Sequence, residues 1–399
     1  MSRILFLTTE SPFPLDSGGK IRTYNLLKGI KTNFEIDLVC FSESEVSSKY
    51  KSELSRVCDN SYIIKKIYTN KKSKKVFLKN ICRSFFKNKP FIIEKFHDKS
   101  YINTIKELLS KNTYEAVIID HLSIATYIKY LDGKIKVILS QHNCEYLILK
   151  RTYENEKNPI KKLYLFNEWK KTERYEKKIC SQVNTVVALT EEDKSYLVDK
   201  NYNGNNIEII PISIEINYRK KNYRSKVHNL LFMGTMSWYP NEQGILWFLE
   251  NVWLDLQDRF PDVNLYIVGK NPSDKIYKYN ESKNITVTGY VEDINQYIEL
   301  CDVAIIPLFI GGGMRVKVLE CMAKGIPCIS TTIGSEGIAY KNKENIMIAD
   351  NEKEFINNIQ YYNENSDQII KIKENAFDLI QQYYSVEMIG RKMNSIIAD

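Results

Sequence analysis

Three glycines, an arginine, a lysine and a glutamate fall within "GGGMRVKVLE", residues 311–320. These types suit one kind of chemistry. Glycines let backbone N–H groups come close to a ligand, and the first turn of a helix adds unpaired donors and the positive end of its dipole. Arg315 brings a forked donor for phosphate oxygens and Lys317 a point charge, with Met314 leading into them. Glu320, further into the helix, can accept both hydroxyls of a ribose. On residues alone two readings stay open, a nucleotide diphosphate site or a glycine turn with a solvated Arg, Lys and Glu, because short glycine motifs are common.

Gly18 and Gly19 in "LDSGGKIRT" repeat the pattern near the amino end, between a strand and a helix expected to open near Ile21, with Lys20 and Arg22 beside them. The plain alternative is a helix-start turn. Of the four histidines, His121 follows the apolar run "AVIID" and His142 follows "KVILSQ", with Asn143 and Glu145 close by. His97 lies in a basic region and His228 in a linker. A satisfied structural histidine is the alternative for either of the first two. There is no D-x-D and no His/Cys/Asp cluster at ligand spacing, so no metal is expected. The eight cysteines form no C-x-x-C pair, and several sit in apolar runs as buried thiols.

Short apolar runs alternate with helical patterns almost throughout, which implies parallel sheets covered on both faces. "RILFLTT", "FEIDLVCFS", "YEAVIID", "KIKVILSQ" and "VNTVVALT" read as strands of one series, and "NIEIIPISIEI" leads into the basic linker "NYRKKNYRSKVHN". A second series follows: "LLFMGT", "NLYIVGK", "ITVTGY", "VAIIPLF" and "PCISTT". The fold class is therefore α/β with two doubly wound domains, 1–210 and 211–380, and a terminal helix, 381–399, free to pack back on the first.

The chain carries a net charge of +8 on a globular composition, 43% hydrophobic and 27% charged. From Lys65 to Lys95 eleven Lys/Arg stand against one Glu, interleaved with Phe, Ile, Leu and Tyr. That mixture fits an anionic membrane surface or a solvated lysine-rich face. No zinc finger, KH loop or RNP-type motif supports nucleic acid. The opening "MSRILFLTTESPFP" is too soon interrupted for a leader or a span, so the expectation is a cytoplasmic protein, with peripheral attachment at the inner face of the membrane if the basic segment binds lipid.

"GGGMRVKVLECMAKGIPCISTTIGSEGI" resembles the carboxyl-terminal donor-site signature of the glycosyltransferase family 4 superfamily, bacterial surface-polysaccharide type. "LLFMGTMSWYPNEQGILWFLENVW", "PFPLDSGGKIRTYNLLKGI", "SQHNCEYLILKR" and "VVALTEEDKSYL" are similar to further segments of that family, in family order along nearly the whole chain. The resemblance implies a GT-B architecture, two Rossmann-like domains facing a central cleft, and retaining transfer of a sugar from a nucleotide donor. UDP-sugar is the expected donor and a glycan or polyprenyl-linked molecule the acceptor. It implies no cofactor, donor contacts from Gly18, Gly19, Gly234, Gly289, Tyr290, Gly311, Gly312, Gly313, Met314, Arg315, Lys317 and Glu320, and catalytic roles for His121, Arg315 and Lys317. Lys20, His142, Asn143 and Glu145 fall on the acceptor side. Two departures stand out. The first glutamate of the family's donor motif falls at Gly312, and the basic pair usual after the first carboxyl-domain strand is missing from "GTMSWYPNEQG", which leaves the diphosphate to Arg315 and Lys317. A nucleotide-sugar 2-epimerase on the same fold and a non-catalytic nucleotide-sugar-binding protein are the alternative readings.

Overall fold

The computed structural model describes residues 2–15, 17–43, 47–66, 89–199, 206–216, 226–310 and 314–399. Gly311, Gly312, Gly313 and most of the basic segment 65–95 lie outside the described residues. The chain divides into two compact units. Unit 1 comprises Met1–Ser213 with Val386–Asp399, and unit 2 comprises Ile214–Ser385.

Unit 1 is built on a seven-stranded sheet: β1 (Arg3–Thr8), β2 (Glu35–Ser42), β3 (Asn60–Lys65), β4 (Ala116–Asp120), β5 (Lys136–Ser140), β6 (Thr185–Ala188) and β7 (Asn206–Ile209). Every described pairing is parallel and the order is β3-β2-β1-β4-β5-β6-β7. Central strands must be apolar on both faces, and they are: Ile4 to Leu7 and Ala116 to Ile119 are fully buried. Each such side chain contributes on the order of 1.5–3 kcal/mol by burial. The helix Gly18–Ile30 opens at Gly18, not near Ile21, because Ser17 caps it by accepting from the Lys20 N–H at 3.4 Å. The expected bare glycine loop is thus the first turn of a helix. The terminal helix Val386–Ala398 crosses this one where Gly29 meets Gly390; a Cβ on Gly29 would stand 2.8 Å from the Gly390 Cα, so only glycine permits the approach. Lys136 Nζ ties the same helix to β5 by donating to the Ile396 carbonyl at 2.5 Å.

Unit 2 has six strands: β8 (Asn229–Met233), β9 (Asn264–Val268), β10 (Ile285–Gly289), β11 (Val303–Ile306), β12 (Cys328–Ser330) and β13 (Met347–Ile348). They too pair in parallel, in the order β10-β9-β8-β11-β12-β13. Both sheets therefore reverse direction of growth beside their first strand, between β1 and β4 and between β8 and β11. The helix Val316–Ala323 buries Val318, Leu319, Met322 and Ala323, and stops at Gly325, whose φ of 75° an L side chain seldom adopts. The seven described cysteines are buried. Among the described residues no helix is long and apolar enough to cross a membrane.

Candidate functional site

In open parallel sheets ligands bind beyond the carboxyl ends of the strands, where the order reverses. In unit 1 that places Thr8, Asp120 and Ser140 at the ends of β1, β4 and β5. Asp120 is fully buried and collects four donors: Thr23 Oγ1 at 2.6 Å, Ser140 Oγ at 2.9 Å, His142 Nε2 at 2.9 Å and Thr8 Oγ1 at 3.4 Å. Burial alone would raise this carboxyl, but the charge and hydrogen bond of His142, with Arg22 and Thr23, outweigh it and hold the pKa well below the usual range. Arg22 is itself buried and donates to the Gln141 carbonyl at 2.6 Å. Desolvation pulls its pKa to about 10 against the attraction of Asp120 and Asp193, so it keeps its charge at neutral pH.

His121 and His142 come together, with ring centroids 5.0 Å apart. His121 adopts φ 121°, a strained value for a non-glycine residue, and is held there by its N–H to the Ser140 carbonyl at 3.0 Å. Its Nδ1 accepts from the Ser123 N–H at 3.4 Å and lies 2.8 Å from Ser123 Oγ, while Nε2 stands 3.7 Å from Glu145 Oε1. Burial first, then His142 and Arg22, lower the His121 pKa to about 3 against the pull of Asp120, which makes it a neutral imidazole. Burial raises Glu145 to about 7, opposed by a hydrogen bond from Asn143. Behind them Glu176 accepts from Gln141 Nε2 at 2.9 Å and from the N–H groups of Glu145 and Tyr146 at 3.2 and 3.0 Å. It serves as the remote cap of the helix Glu145–Asn155, whose N-cap residue Cys144 makes no side-chain cap bond. Burial raises Glu176 to about 8; its backbone donors pull it back and Glu145 pushes it further up. Lys20 forms an ion pair with Glu10 at 3.7 Å.

In unit 2 the corresponding positions follow β8 and β11. Gly234 directly follows β8, and a Cβ there would stand 2.6 Å from Asn241 Nδ2 and 3.0 Å from Lys317 Nζ. Gly269 packs its backbone against the Gly234 carbonyl and donates to the Gly289 carbonyl at 3.1 Å, so the ends of β8, β9 and β10 are knitted together. Lys317 Nζ donates to Asn241 Oδ1 at 2.5 Å and lies 5.1 Å from the centre of the Phe232 ring. Its hydrogen-bond partner is a neutral amide. Burial, then the charge of Arg315, lower the Lys317 pKa to about 7, and Cys321 and Glu320 oppose them. Arg315 is buried with its guanidinium 5.6 Å from the Trp238 ring centre; desolvation lowers it and Glu336 raises it. Desolvation raises Glu320, against Lys324 and Lys317. Met314 is buried. Tyr290 is exposed and takes Lys270 over its ring at 5.2 Å, and Gly289 has φ 68° with Tyr277 Oη close to where a Cβ would stand.

The structure thus gathers Gly234, Arg315, Lys317 and Glu320 in one unit, and Gly19, His121, His142 and Glu145 in the other. His228 immediately precedes β8 and donates its N–H to Asp302 at 2.9 Å, apart from both groups. Sequence reasoning missed Asn241, Trp238, Asp120 and Glu176. Asp120 had a signal, since it ends the strand immediately before His121; Asn241 and Glu176 had none, because they reach their partners across long stretches of chain. Among the described residues no group of three or more His, Cys, Asp or Glu could hold a metal ion.

Residues 227–365 match the family described as Glycosyl transferases group 1. A protein of Klebsiella pneumoniae described as an uncharacterized 44.6 kDa protein in the cps region is 26% identical over 404 residues, covering 98% of each chain. Among solved structures, sucrose-phosphate synthase from Thermosynechococcus elongatus superimposes with a TM-score of 0.70 at 13% identity, covering 100% of this chain and 98% of that one. The Anabaena protein HepE, solved in complex with UDP, gives 0.66 at 13% identity over 99% of both chains. The fold is that of the GT-B glycosyltransferases, and together with the family match it supports a glycosyltransferase.

Proposed function

We propose that this protein is a retaining, metal-independent glycosyltransferase of the family 4 type, which moves a sugar from a UDP-sugar to a glycan or polyprenyl-linked acceptor in bacterial surface-polysaccharide synthesis. One observation carries the reading. Lys317, partly buried, lies beside the glycine that follows β8, with buried Arg315 two residues before it in the segment that matches the glycosyltransferase family, and among the described residues its hydrogen-bond partner is a neutral amide. An anion of high charge completes such a site.

In this reading Arg315 and Lys317 hold the diphosphate, Glu320 accepts the ribose hydroxyls, and Gly289 with Tyr290 meets the base. The bond between the sugar's anomeric carbon and the β-phosphate oxygen breaks, and its electron pair leaves with the nucleotide. The two cations offset that growing charge, the largest lever such a site has. The acceptor oxygen bonds to the same face of the sugar, and its proton leaves on the departing diphosphate. Arg315 and Lys317 replace the metal charge that other diphosphate sites use. His121 hydrogen-bonds a substrate hydroxyl, with Lys20, His142, Asn143 and Glu145 on the acceptor side. The cps-region relative supports a place in polysaccharide synthesis, and the basic residues 65–95 support attachment to an anionic membrane surface.

The test is a melting-temperature panel in EDTA with UDP, GDP, CMP and dTDP and their sugar conjugates. A ligand at about 100 times its Kd adds roughly 2.7 kcal/mol to the folded state. A rise with UDP and its sugars is expected, and product NMR with the responding donor should show the anomeric configuration retained. No response to any nucleotide removes the reading, and isomerised sugar nucleotide without acceptor replaces it with an epimerase.

A further inference from the structure

Lys317 belongs to the helix Val316–Ala323, but what holds its amine comes from another element. Asn241 lies in the first turn of the helix Tyr239–Asn251 and is 4% exposed. Its amide is used at both ends. Nδ2 donates to the Thr235 carbonyl at 2.9 Å, and Oδ1 accepts from Lys317 Nζ at 2.5 Å. A carbonyl only accepts, so Nδ2 must face Thr235 and Oδ1 must face the lysine. Gly234 makes room for the pair, since a Cβ there would meet both Asn241 Nδ2 and Lys317 Nζ. Gly244 fixes the helix against the end of β11, where a Cβ would stand 2.2 Å from the Pro307 carbonyl. The amide is a strut of set length and direction between the loop after β8 and the lysine.

We infer that Asn241 is a positioning residue for anion binding: it holds Lys317 Nζ beside Gly234 through a neutral hydrogen bond, which leaves the lysine's positive charge to be balanced by the phosphate oxygens of a nucleoside diphosphate. Asn241 itself touches no ligand. The place needs a donor toward Thr235 and an acceptor toward Lys317 on one short arm shielded from water. Leucine has neither. Aspartate has the shape and the acceptor, but it sets a carboxylate against the Thr235 carbonyl and would pair with Lys317 before any ligand arrived. It would also repel the diphosphate, so the choice of amide over carboxylate is a specificity device. The other groups facing Lys317 are Arg315, which repels its charge, Glu320 and Cys321, which favour it, and the Phe232 ring on β8. The inference rests on the glycosyltransferase reading only in naming the anion as a nucleoside diphosphate.

Asn241→Asp keeps the shape and replaces the neutral strut with a charged one. Trace acetylation of the ligand-free protein across pH 6 to 11, read by mass spectrometry on the peptide that carries Lys317, follows this one amine. The parent's midpoint should lie well below the ordinary lysine range. In Asn241→Asp it should move up by about 1–3 pH units, the usual effect of an adjacent opposite charge. Asn241→Gln, which keeps both polar ends, should leave it near the parent's. Calorimetry at pH 8 in EDTA then compares inorganic pyrophosphate and UDP. Both should bind the parent with proton uptake, and Asn241→Asp about 10–100-fold more weakly with none, the size of one charged hydrogen bond. Asn241→Gln should keep the uptake. Equal midpoints in the parent and Asn241→Asp, or equal binding and uptake in the two, overturn the inference and leave the functional reading standing. Pyrophosphate that behaves as expected upholds the inference even where no nucleotide binds, an outcome that overturns the functional reading alone. A parent that binds neither probe overturns both.

Discussion

Both units carry a charge drawn back from water where a parallel sheet reverses order, but they balance it differently. In unit 1 Asp120 has Arg22 and His142 as countercharge and partner, and four hydrogen bonds close around it. In unit 2 Lys317 leans on the amide of Asn241 and is pushed down by the neighbouring charge of Arg315. The first arrangement is complete as folded. The second leaves a cation on a neutral amide, which under the proposed function an arriving anion would complete. On that proposal the contrast separates a group that maintains geometry from one that awaits a ligand, a distinction that residue types do not reveal.

The comparison breaks most sharply at Asp120. Asp120→Ala leaves His142, Thr23 and Ser140 facing a hole, and the expected loss is about 3–5 kcal/mol in urea denaturation. A loss under about 1 kcal/mol would mean that the cluster is not the closed network described. Next comes Gly234→Ala. Its Cβ would press on Asn241 Nδ2 at 2.6 Å and on Lys317 Nζ at 3.0 Å, so overpacking should cost about 1–3 kcal/mol and displace the cation. Unchanged stability together with unchanged UDP affinity would show that the strand end has room to spare.

The smallest expected effect is a pair of opposed pH dependences. Glu176 is raised to about 8 and Glu145 to about 7, so the folded chain holds protons that the unfolded chain has released; the stability they contribute is complete below the usual carboxylate pKa and is lost as pH rises to about 8. Lys317 is lowered to about 7, so between that value and its usual 10.5 the unfolded chain binds the extra proton and stability rises with pH. Melting curves from pH 5 to 10 should show the first slope flattened by Glu176→Gln and the second by Lys317→Met. A parent-like profile in either variant would remove that residue from the account.

The sheets were legible in the sequence wherever strands are central, because burial on both faces writes continuous apolar runs such as "RILFLTT" and "AVIID". Edge strands were not. β3, "NSYIIK", is half polar and largely exposed, and β13 is two residues long, so neither carries that imprint. Gly18 was misplaced in a loop because Ser17, a side-chain cap with little periodic signal, starts the helix. Arg315, Lys317, His121 and His142 were visible from type and position after strands. What each one does was not, since Asn241 meets Lys317 from 76 residues away and Thr23 meets Asp120 from 97.

The central claim, that Lys317 awaits a diphosphate, is tested most directly by calorimetry of UDP binding in metal-free buffer at pH 8, in two buffers of different ionisation enthalpy. A lysine with a pKa near 7 is largely neutral there and must take up a proton when the diphosphate arrives. The account predicts proton uptake on binding by the parent protein. In Lys317→Met it predicts no uptake and affinity lower by about 10–100-fold, the size of one charged hydrogen bond. UDP binding of equal strength in the two proteins, with no proton linkage in either, would contradict it.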